Sequence, residues 1–324
     1  MRKDKKFFLL VEGFLAIMVL IVAILMIQES TEKESARISV IVKDSDSSRW
    51  DSFKYGLEMA AADYNVETFI VSTVDSLTAE EEAELLDSEM EQGADGLIVQ
   101  PLSGEEMEEQ LTQCGKKLPV MLVESSLTAE DASLSLPVTK PQHYEMGQTL
   151  VEELLHDFGG SLEGKRIGIV SSERDSEAVT ERRKGVEDGI AESGGEIIWV
   201  VSGYGEASDG LTLSAYPGVD ILVALDDRCL VLAGQAVVDG GLHGAVIYGI
   251  GNSTEAFYYL DNGYAECLVV PDEFNVGYQS LAELVKNMEH SPKKMESQTV
   301  SSTVIRKETL FSGKNENILF TMTQ

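Results

Sequence analysis

The sequence predicts an α/β fold: two doubly wound parallel-sheet lobes joined by a hinge of three chain crossings, preceded by one transmembrane helix. The first observation is a long alternation of short β-branched runs with amphipathic segments from residue 38 onward. The second is that these runs lack polar–apolar alternation, which is typical of parallel strands covered on both faces. The third is a basic N-terminus followed by an apolar run that can cross a bilayer as a helix of about 20 residues.

The N-terminal segment predicts a membrane anchor. Residues 1–6 carry four basic side chains, and residues 7–28 are apolar apart from Glu12, a glycine and a final glutamine. A basic flank stays in the cytoplasm, so a single-pass protein of the cell membrane is expected, with its bulk outside. The run ends without the small residues of a cleavage site and without a following cysteine, so we expect the helix to be retained. Residues 29–37 read as a stalk.

The predicted strands divide the remaining chain into two lobes and a C-terminal tail. The assignments are residues 38–140 and 272–295 for lobe 1, residues 141–271 and 296–312 for lobe 2, and residues 313–324 for the tail. The β-branched runs that predict strands are, in chain order, residues 38–42, 68–72, 96–99, 120–123, 166–170, 197–201, 221–225, 245–248 and 267–270.

Amphipathic patterns between the strands predict the covering helices. Phe53, Leu57 and Tyr64 fall on one helical face, and Thr78 and Glu81 have the spacing of a capping box that opens the next helix. Strand–helix alternation builds right-handed βαβ units, hence a doubly wound sheet in each lobe. The three hinge crossings are expected near residues 138–143, 271–274 and 290–297.

Composition excludes some classes of function. The chain has 25 basic and 56 acidic residues, a formal net charge of −31, which repels phosphate backbones and disfavours nucleic acid as a partner. Cys114, Cys229 and Cys267 are far apart and lack metal-ligand spacing, so we expect small buried hydrophobes. The four histidines are equally scattered. No metal and no cofactor is expected.

Polar side chains follow the predicted strands where the two lobes would face each other. The C-terminal strand edges of such lobes line a cleft, the usual place for a ligand. Carboxylates and a guanidinium there would pair with vicinal hydroxyls, and an indole would stack on C–H surface, which favours a polyhydroxylated ligand. The candidates that follow strands are Arg49, Trp50, Glu124, Ser125, Arg182, Asp226 and Asn252.

Each candidate also has a structural explanation. Arg182 has Glu177 and Glu181 as possible partners on its own helix, Asp226 and Asp227 are placed to cap the next helix, and Trp50 is a possible core residue. Taken singly, Arg49 and Asp227 are better explained by structure. Trp50, Arg182 and Asp226 are better explained by function.

From residue 38 to about residue 310 the chain resembles the type 1 periplasmic sugar-binding proteins, of which the ribose-binding protein is the archetype. The resemblance rests on the order and spacing of several stretches over almost the whole chain beyond the anchor. These are residues 49–56 before the first helix, residues 96–101 (GLIVQP, similar to DGIIINP), residues 118–124 (LPVMLVE, similar to IPVITLD), residues 144–147 (YEMG) at the crossover, residues 181–185 (ERRKG), residues 219–227 (similar to VDAVFAQND) and residues 272–278 at the returning hinge.

The resemblance implies roles for individual residues. Trp50 would be the stacking aromatic, Glu124 would replace the family's Asp, Arg182 would be the guanidinium clamp and Asp226 would replace its Asn. Other positions depart from the family pattern. Ser125 stands for an Arg, Gln142-His143 for an Asp-Asn pair, and Gly251, which precedes Asn252, for an Asp. His143 is therefore a candidate site residue at the crossover.

The expected function is capture of a small, sugar-like solute as the substrate-binding component of an ABC-type importer, with the permease as partner. The alternative is a ligand-sensing subunit that signals to a membrane histidine kinase or chemoreceptor. The sequence contains no G-x-S-x-G, P-loop or His-Glu zinc pattern, which agrees with a binding protein rather than an enzyme. A DNA-binding regulator is disfavoured because a hydrophobic span stands where a helix-turn-helix is needed.

Overall fold

The structure is a computed structural model that describes residues 13–15, 17–18, 35–102, 104–127, 136–174, 176–204, 212–289, 294–313 and 315–321. The chain divides into two compact units, Met1–Ala36 and Arg37–Gln324. In the first, residues 13–15 and 17–18 are helical and exposed. The predicted basic segment, most of the predicted transmembrane helix and most of the stalk lie outside the described residues. None of the helices within the described ranges is both long enough and apolar enough to cross a membrane.

The second unit alternates strands and helices. The described strands are β1 (Arg37–Ile41), β2 (Glu67–Ile70), β3 (Gly96–Val99), β4 (Val120–Val123), β5 (Val138–Pro141), β6 (Arg166–Ser171), β7 (Glu196–Ser202), β8 (Ile221–Ala224), β9 (Val246–Ile250), β10 (Cys267–Pro271), β11 (Gln298–Val300) and β12 (Ser302–Ile305). The described helices are α1 (Asp51–Tyr64), α2 (Ala79–Glu91), α3 (Glu105–Gly115), α4 (His143–Asp157), α5 (Glu177–Ser193), α6 (Asp227–Val238), α7 (Thr254–Asp261), α8 (Glu273–Glu289) and α9 (Glu316–Thr321).

These strands form two sheets, which confirms the predicted α/β fold with two parallel-sheet lobes. Within the described residues, the lobe 1 sheet has the order β11-β5-β4-β3-β1-β2 and its pairs are parallel. The lobe 2 sheet has the order β12-β10-β9-β8-β6-β7, with β12 antiparallel to β10 at one edge. Buried apolar residues lie on both faces of each sheet, which explains why the strands read as continuous apolar runs.

The chain crosses between the sheets after β5, after β10 and between β11 and β12. The sequence placed the third crossing at residues 290–297 and gave residues 296–312 to lobe 2, and that boundary is wrong. Residues Gln298 to Val300 pair in parallel with Thr139 to Pro141, so this segment still belongs to lobe 1 and the chain crosses at Ser301. Strand β5 was also absent from the predicted strands, because its sequence, Val-Thr-Lys-Pro, is short and includes a charge and a proline.

Two local predictions about helices are confirmed. The Glu81 backbone N–H donates to Thr78 Oγ1 (3.3 Å) and the Thr78 backbone N–H donates to Glu81 Oε2 (2.9 Å), which together make a capping box. In α1, Phe53 and Leu57 are buried on the core side. The three cysteines are buried as well.

Two helix pairs pack with their backbones in close contact: α1 against α8 in lobe 1, and α4 against α5 in lobe 2. A Cβ added at Gly56 or Gly277 would overlap a backbone carbonyl oxygen of the opposite helix, and the same holds at Gly147 and Gly185. Each pair therefore needs glycine at the crossing point. Because α5 carries Arg182 and α8 begins at Glu273, the two crossings hold site residues in place.

Glu82 in α2 is a buried acid for which we expect a measurable pH effect. Its side chain is fully buried, Oε2 accepts the Leu102 backbone N–H (3.0 Å), and Oε1 has no partner among the described residues. Burial raises the pKa of Glu82 to about 7 from 4.5. The folded chain thus holds a proton that the unfolded chain releases, and stability falls as pH rises between these values.

From pH 4 to pH 8 the free energy of unfolding of the natural chain should therefore fall by about 3 kcal/mol more than that of the Glu82→Gln variant. Urea denaturation at both pH values measures the difference. Glu84→Gln, on the exposed face of the same helix, is the control and should keep the natural pH dependence. Parallel pH profiles for the natural chain and Glu82→Gln would contradict the prediction.

Candidate functional site

The two lobes meet where the C-terminal ends of their strands face each other. At the centre, Arg182 Nη2 of lobe 2 lies 3.5 Å from Glu124 Oε2 of lobe 1. Asn252 Nδ2 donates across the cleft to the Arg49 carbonyl oxygen (2.7 Å). Further out, Ser48 donates to Glu255 (3.0 Å) and Arg228 pairs with Asp75. These contacts define a cleft with an inner and an outer part.

The inner part is a small cavity of about 30 Å³, above the roughly 10–15 Å³ that a cavity needs to hold a water molecule. Six of the eight predicted site residues line it, although they come from five separate stretches of the chain. They are Arg49, Trp50, Glu124, Arg182, Asp226 and Asn252. Ser125 and His143 are buried nearby but are not among its described lining residues.

Arg182 makes the innermost of these contacts between the lobes. It projects from α5, is 6% exposed, and its Nη1 donates to the Leu225 carbonyl oxygen (3.2 Å) while Nε donates to His143 Nδ1 (3.2 Å). Glu177, the structural alternative for its partner, instead pairs with Lys140 and accepts from Ser126. The guanidinium is therefore held in a fixed direction toward Glu124.

His143 positions Arg182 rather than facing the cavity. It begins α4, and its Nε2 lies 2.6 Å from the Glu124 carbonyl oxygen. Since Arg182 Nε can only donate, Nδ1 accepts and the ring hydrogen sits on Nε2. Burial, and next the Arg182 charge, lower the pKa of His143 well below its usual value, so the ring stays neutral. The position for which the resemblance implied a site residue thus orients the Arg182 guanidinium.

A pair of buried carboxyl groups, Glu124 and Glu273, lies beside Arg182. Glu124 adopts a left-handed backbone conformation (φ 65°), rare for a long side chain, at the end of β4. Glu124 Oε1 and Glu273 Oε2 are both buried without a hydrogen-bond partner among the described residues. Burial first, and then the Glu124 charge, raise the pKa of Glu273 well above its usual value, while Arg182 and Arg49 oppose the shift.

Sequence reasoning missed Glu273. It lies two residues after the end of β10, so the same strand-end rule that selected Glu124 and Asn252 applied to it. Its stretch was interpreted as a hinge, which it also is, because α8 starts the return to lobe 1.

The paired aspartates at the end of β8 have structural roles. Asp226 caps α6, since its Oδ1 accepts from the Cys229 N–H (2.9 Å) and its Oδ2 accepts from the Ser172 N–H (2.6 Å). Asp227 Oδ1 accepts from the Asn252 and Ser253 N–H groups (both 2.8 Å). For Asp226 the capping alternative is therefore confirmed. Both residues line the inner cavity, but their carboxylates are already committed to backbone donors.

Trp50 also has a core role. It is 2% exposed, packs edge-on against Phe53 with ring centroids 5.3 Å apart, and donates from Nε1 to the Lys43 carbonyl oxygen (2.9 Å). The Arg49 guanidinium lies 4.2 Å from the centre of its ring, a cation–π contact that covers one face. Arg49, which the sequence favoured as structural, thus lines the inner cavity together with the indole.

The outer part of the cleft is a cavity of about 570 Å³, within the size range of small-molecule sites. Arg49 and Asp227 line both cavities, so the outer one adjoins the inner one. Among its described lining residues, acids outnumber bases. The acids are Asp44, Asp46, Asp75, Glu173, Asp227 and Glu255, and the bases are Lys43, Arg49 and Arg228.

Comparison with known proteins agrees with this arrangement. A family model described as a periplasmic binding protein domain matches residues 38–291. No curated protein sequence is significantly similar to the chain. Among solved structures, a carbohydrate transporter solute-binding protein from Agrobacterium radiobacter, described in complex with D-arabinose, is 17% identical with a TM-score of 0.78 and covers 89% of this chain and 99% of its own.

Two further structures are similar in fold. GanP, a glucose-galactose binding protein from Geobacillus stearothermophilus, is 17% identical with a TM-score of 0.72, over 86% of this chain and 100% of its own. An ABC transporter solute-binding protein from Agrobacterium vitis, described as bound with α-D-tagatopyranose, is 12% identical with a TM-score of 0.76, over 88% of this chain and 99% of its own. At these identities the likeness establishes the fold.

Proposed function

The chain belongs to the periplasmic binding protein domain family, and from that premise we propose that it captures a small, sugar-like solute in the cleft between its lobes. It is a binding protein and not an enzyme. The observation that carries the proposal is the meeting of Arg182 and Glu124 from opposite lobes, 3.5 Å apart, beside a cavity of about 570 Å³. A guanidinium and carboxylates at one point are suited to the paired hydroxyls of a sugar.

Capture would work by closure of the two lobes about the three chain crossings. The contacts of Ser48 with Glu255 and of Arg228 with Asp75 join the lobes at the lining of the outer cavity, so they would separate when the lobes open to admit a solute. Hinges of this kind lie at a few residues between rigid elements, as the crossings after Pro141, Pro271 and Val300 do. Sugar ligands in the descriptions of the structures with this fold support the ligand class.

The proposed location is the outer face of the cell membrane, with the predicted N-terminal helix as anchor. The proposed partner is the permease of an ABC-type importer, which would recognise the closed pair of lobes. The descriptions of the similar structures as transporter components support this partner. The alternative partner, a membrane histidine kinase or chemoreceptor, stays a prediction from the apolar N-terminal run.

A thermal-shift screen of the full chain against sugars, polyols and nucleosides tests the proposal. A ligand at 100 times its dissociation constant should add about 2.7 kcal/mol to the free energy of unfolding. Arg182→Ala should abolish the shift, and Asn252→Ala should weaken it because Asn252 joins the lobes through Arg49. Arg183→Ala, next to Arg182 but paired with Glu187, should keep it. A thermal shift that persists in both Arg182→Ala and Asn252→Ala would show that the ligand binds outside the cleft. The absence of any shift across the screen would contradict solute capture.

A further inference from the structure

Glu124 and Glu273 line the inner cavity, and the groups around them determine which kind of ligand group they can bind. We propose that Glu124 and Glu273 together bind the ammonium group of an amino sugar whose ring lies in the outer cavity. This inference rests on the proposed function, because the ammonium group enters as part of the solute that the cleft captures.

The first argument is that both carboxyl groups have unused acceptor atoms. Glu124 is 7% exposed and Glu273 is 5% exposed, and one oxygen of each is buried without a partner among the described residues. The donor left to them is the proton on Glu273, which can link the two carboxyl groups. A group that replaces this proton must therefore donate hydrogen bonds to both of them. Both side chains line that cavity.

The second argument is that the pair is compensated in part by a proton, since burial and the Glu124 charge raise the pKa of Glu273 well above its usual value although Arg182 and Arg49 oppose the shift. Arg182 pairs with Glu124, and its Nε and Nη1 donors go to His143 and Leu225. The Arg49 guanidinium lies on the Trp50 ring, and His143 is neutral behind Arg182. One guanidinium in contact and one proton therefore compensate two buried carboxyl groups.

The third argument compares the groups able to complete the pair. The other acids facing it, Asp226 and Asp227, are already held by backbone N–H groups. A single proton on Glu273 removes one charge, and its raised pKa shows that the site favours this. An ammonium group brings a full charge and three donors, so it serves both carboxylates at once. A neutral hydroxyl group brings one donor and leaves the charge uncompensated.

The fourth argument rests on the sizes of the two cavities and on the negative charge of the outer one. The inner cavity, at about 30 Å³, takes a group as large as one water molecule, which an ammonium group matches and a sugar ring exceeds. The adjoining outer cavity, at about 570 Å³, has room for the ring. Its acidic lining gives a negative field that favours a cation over an anion.

The test is equilibrium titration calorimetry of the full chain at pH 6.5 with three matched pairs of sugars. The pairs are D-glucosamine with D-glucose, D-galactosamine with D-galactose, and D-mannosamine with D-mannose. We expect at least one amino sugar to bind about 10-fold to 100-fold more tightly than its neutral partner, the range of a charge-assisted hydrogen bond. Titrations in two buffers of different ionisation enthalpy should also show proton release, because the ammonium group displaces the Glu273 proton.

A substitution at Glu273 tests whether the preference for amino sugars arises at this carboxyl pair. Glu273→Gln keeps the size of the side chain and removes its charge, so it should reduce the amino-over-neutral preference by about 10-fold and abolish proton release. The comparison of sugars on the natural chain does not depend on the variant folding. Neutral sugars that bind as tightly as their amino partners would overturn the ammonium site and leave solute capture standing. If these six fail while another neutral solute from the wider screen binds, the ammonium site is again overturned, and if nothing binds, both proposals fail.

Discussion

Replacing Arg182 by alanine should lower the free energy of unfolding by about 3–5 kcal/mol and abolish solute binding. The guanidinium is buried, and its removal leaves Glu124 and Glu273 as a pair of buried carboxyl groups with no contacting cation. It also takes the donor away from the Leu225 carbonyl oxygen and from His143 Nδ1. Breaking one partner of a buried ion pair is costly because the other partner stays buried.

Urea denaturation measures the loss of stability, and titration with the solute found by thermal shift measures binding. Arg183→Ala is the matched control because it removes the same kind of side chain one position along α5, from a partly exposed ion pair with Glu187. It should change stability by no more than about 0.5 kcal/mol. An unfolding free energy for Arg182→Ala within that margin of the control would show that the buried cluster does not stabilise the fold.

The Gly147→Ala substitution should cost about 3 kcal/mol or more, although it adds a single methyl group. A Cβ at this position would overlap the Arg182 carbonyl oxygen and lie 3.0 Å from Val186 N. The neighbouring atoms are backbone of α5, so relief requires the two helices to move apart. Since one of those atoms belongs to Arg182, the shift should also displace the clamp and weaken binding.

Gly218→Ala is the control, because nothing lies within 4 Å of a Cβ added there. Its effect on the thermal unfolding midpoint should be small. Gly56→Ala should repeat the Gly147 result in lobe 1, where the added Cβ would overlap the Phe274 carbonyl oxygen. A Gly147→Ala variant as stable as Gly218→Ala would mean that the helix pair tolerates separation.

The sequence predicted the features that depend on local pattern. Continuous apolar runs predicted the strands of both sheets, and the capping box was predicted correctly because Thr78 and Glu81 are only three residues apart. Strand ends pointed to Glu124 and Asn252, which the structure brings to one cavity because the C-terminal edges of the two sheets face each other.

Features that depend on distant pairing were missed. The third crossing was misplaced because β11 is assigned to lobe 1 only by pairing with β5, more than 150 residues earlier in the chain. The sequence favoured a functional role over capping for Asp226, because its second donor, the Ser172 N–H, lies 54 residues earlier in the chain. Ser125 follows Glu124 in sequence and is buried, yet it is not among the described residues that line the cavity.

The central claim is that a solute is captured by closure of the two lobes, and the distance between the lobes tests it most directly. Ser88 in α2 and Ala191 in α5 are exposed positions, one in each lobe, where cysteines can carry a fluorescence-transfer pair on the full chain. With the solute found by thermal shift, we predict a change to one shorter, narrower distance distribution, which Arg182→Ala prevents. A distribution that is the same with and without saturating solute would contradict capture by lobe closure.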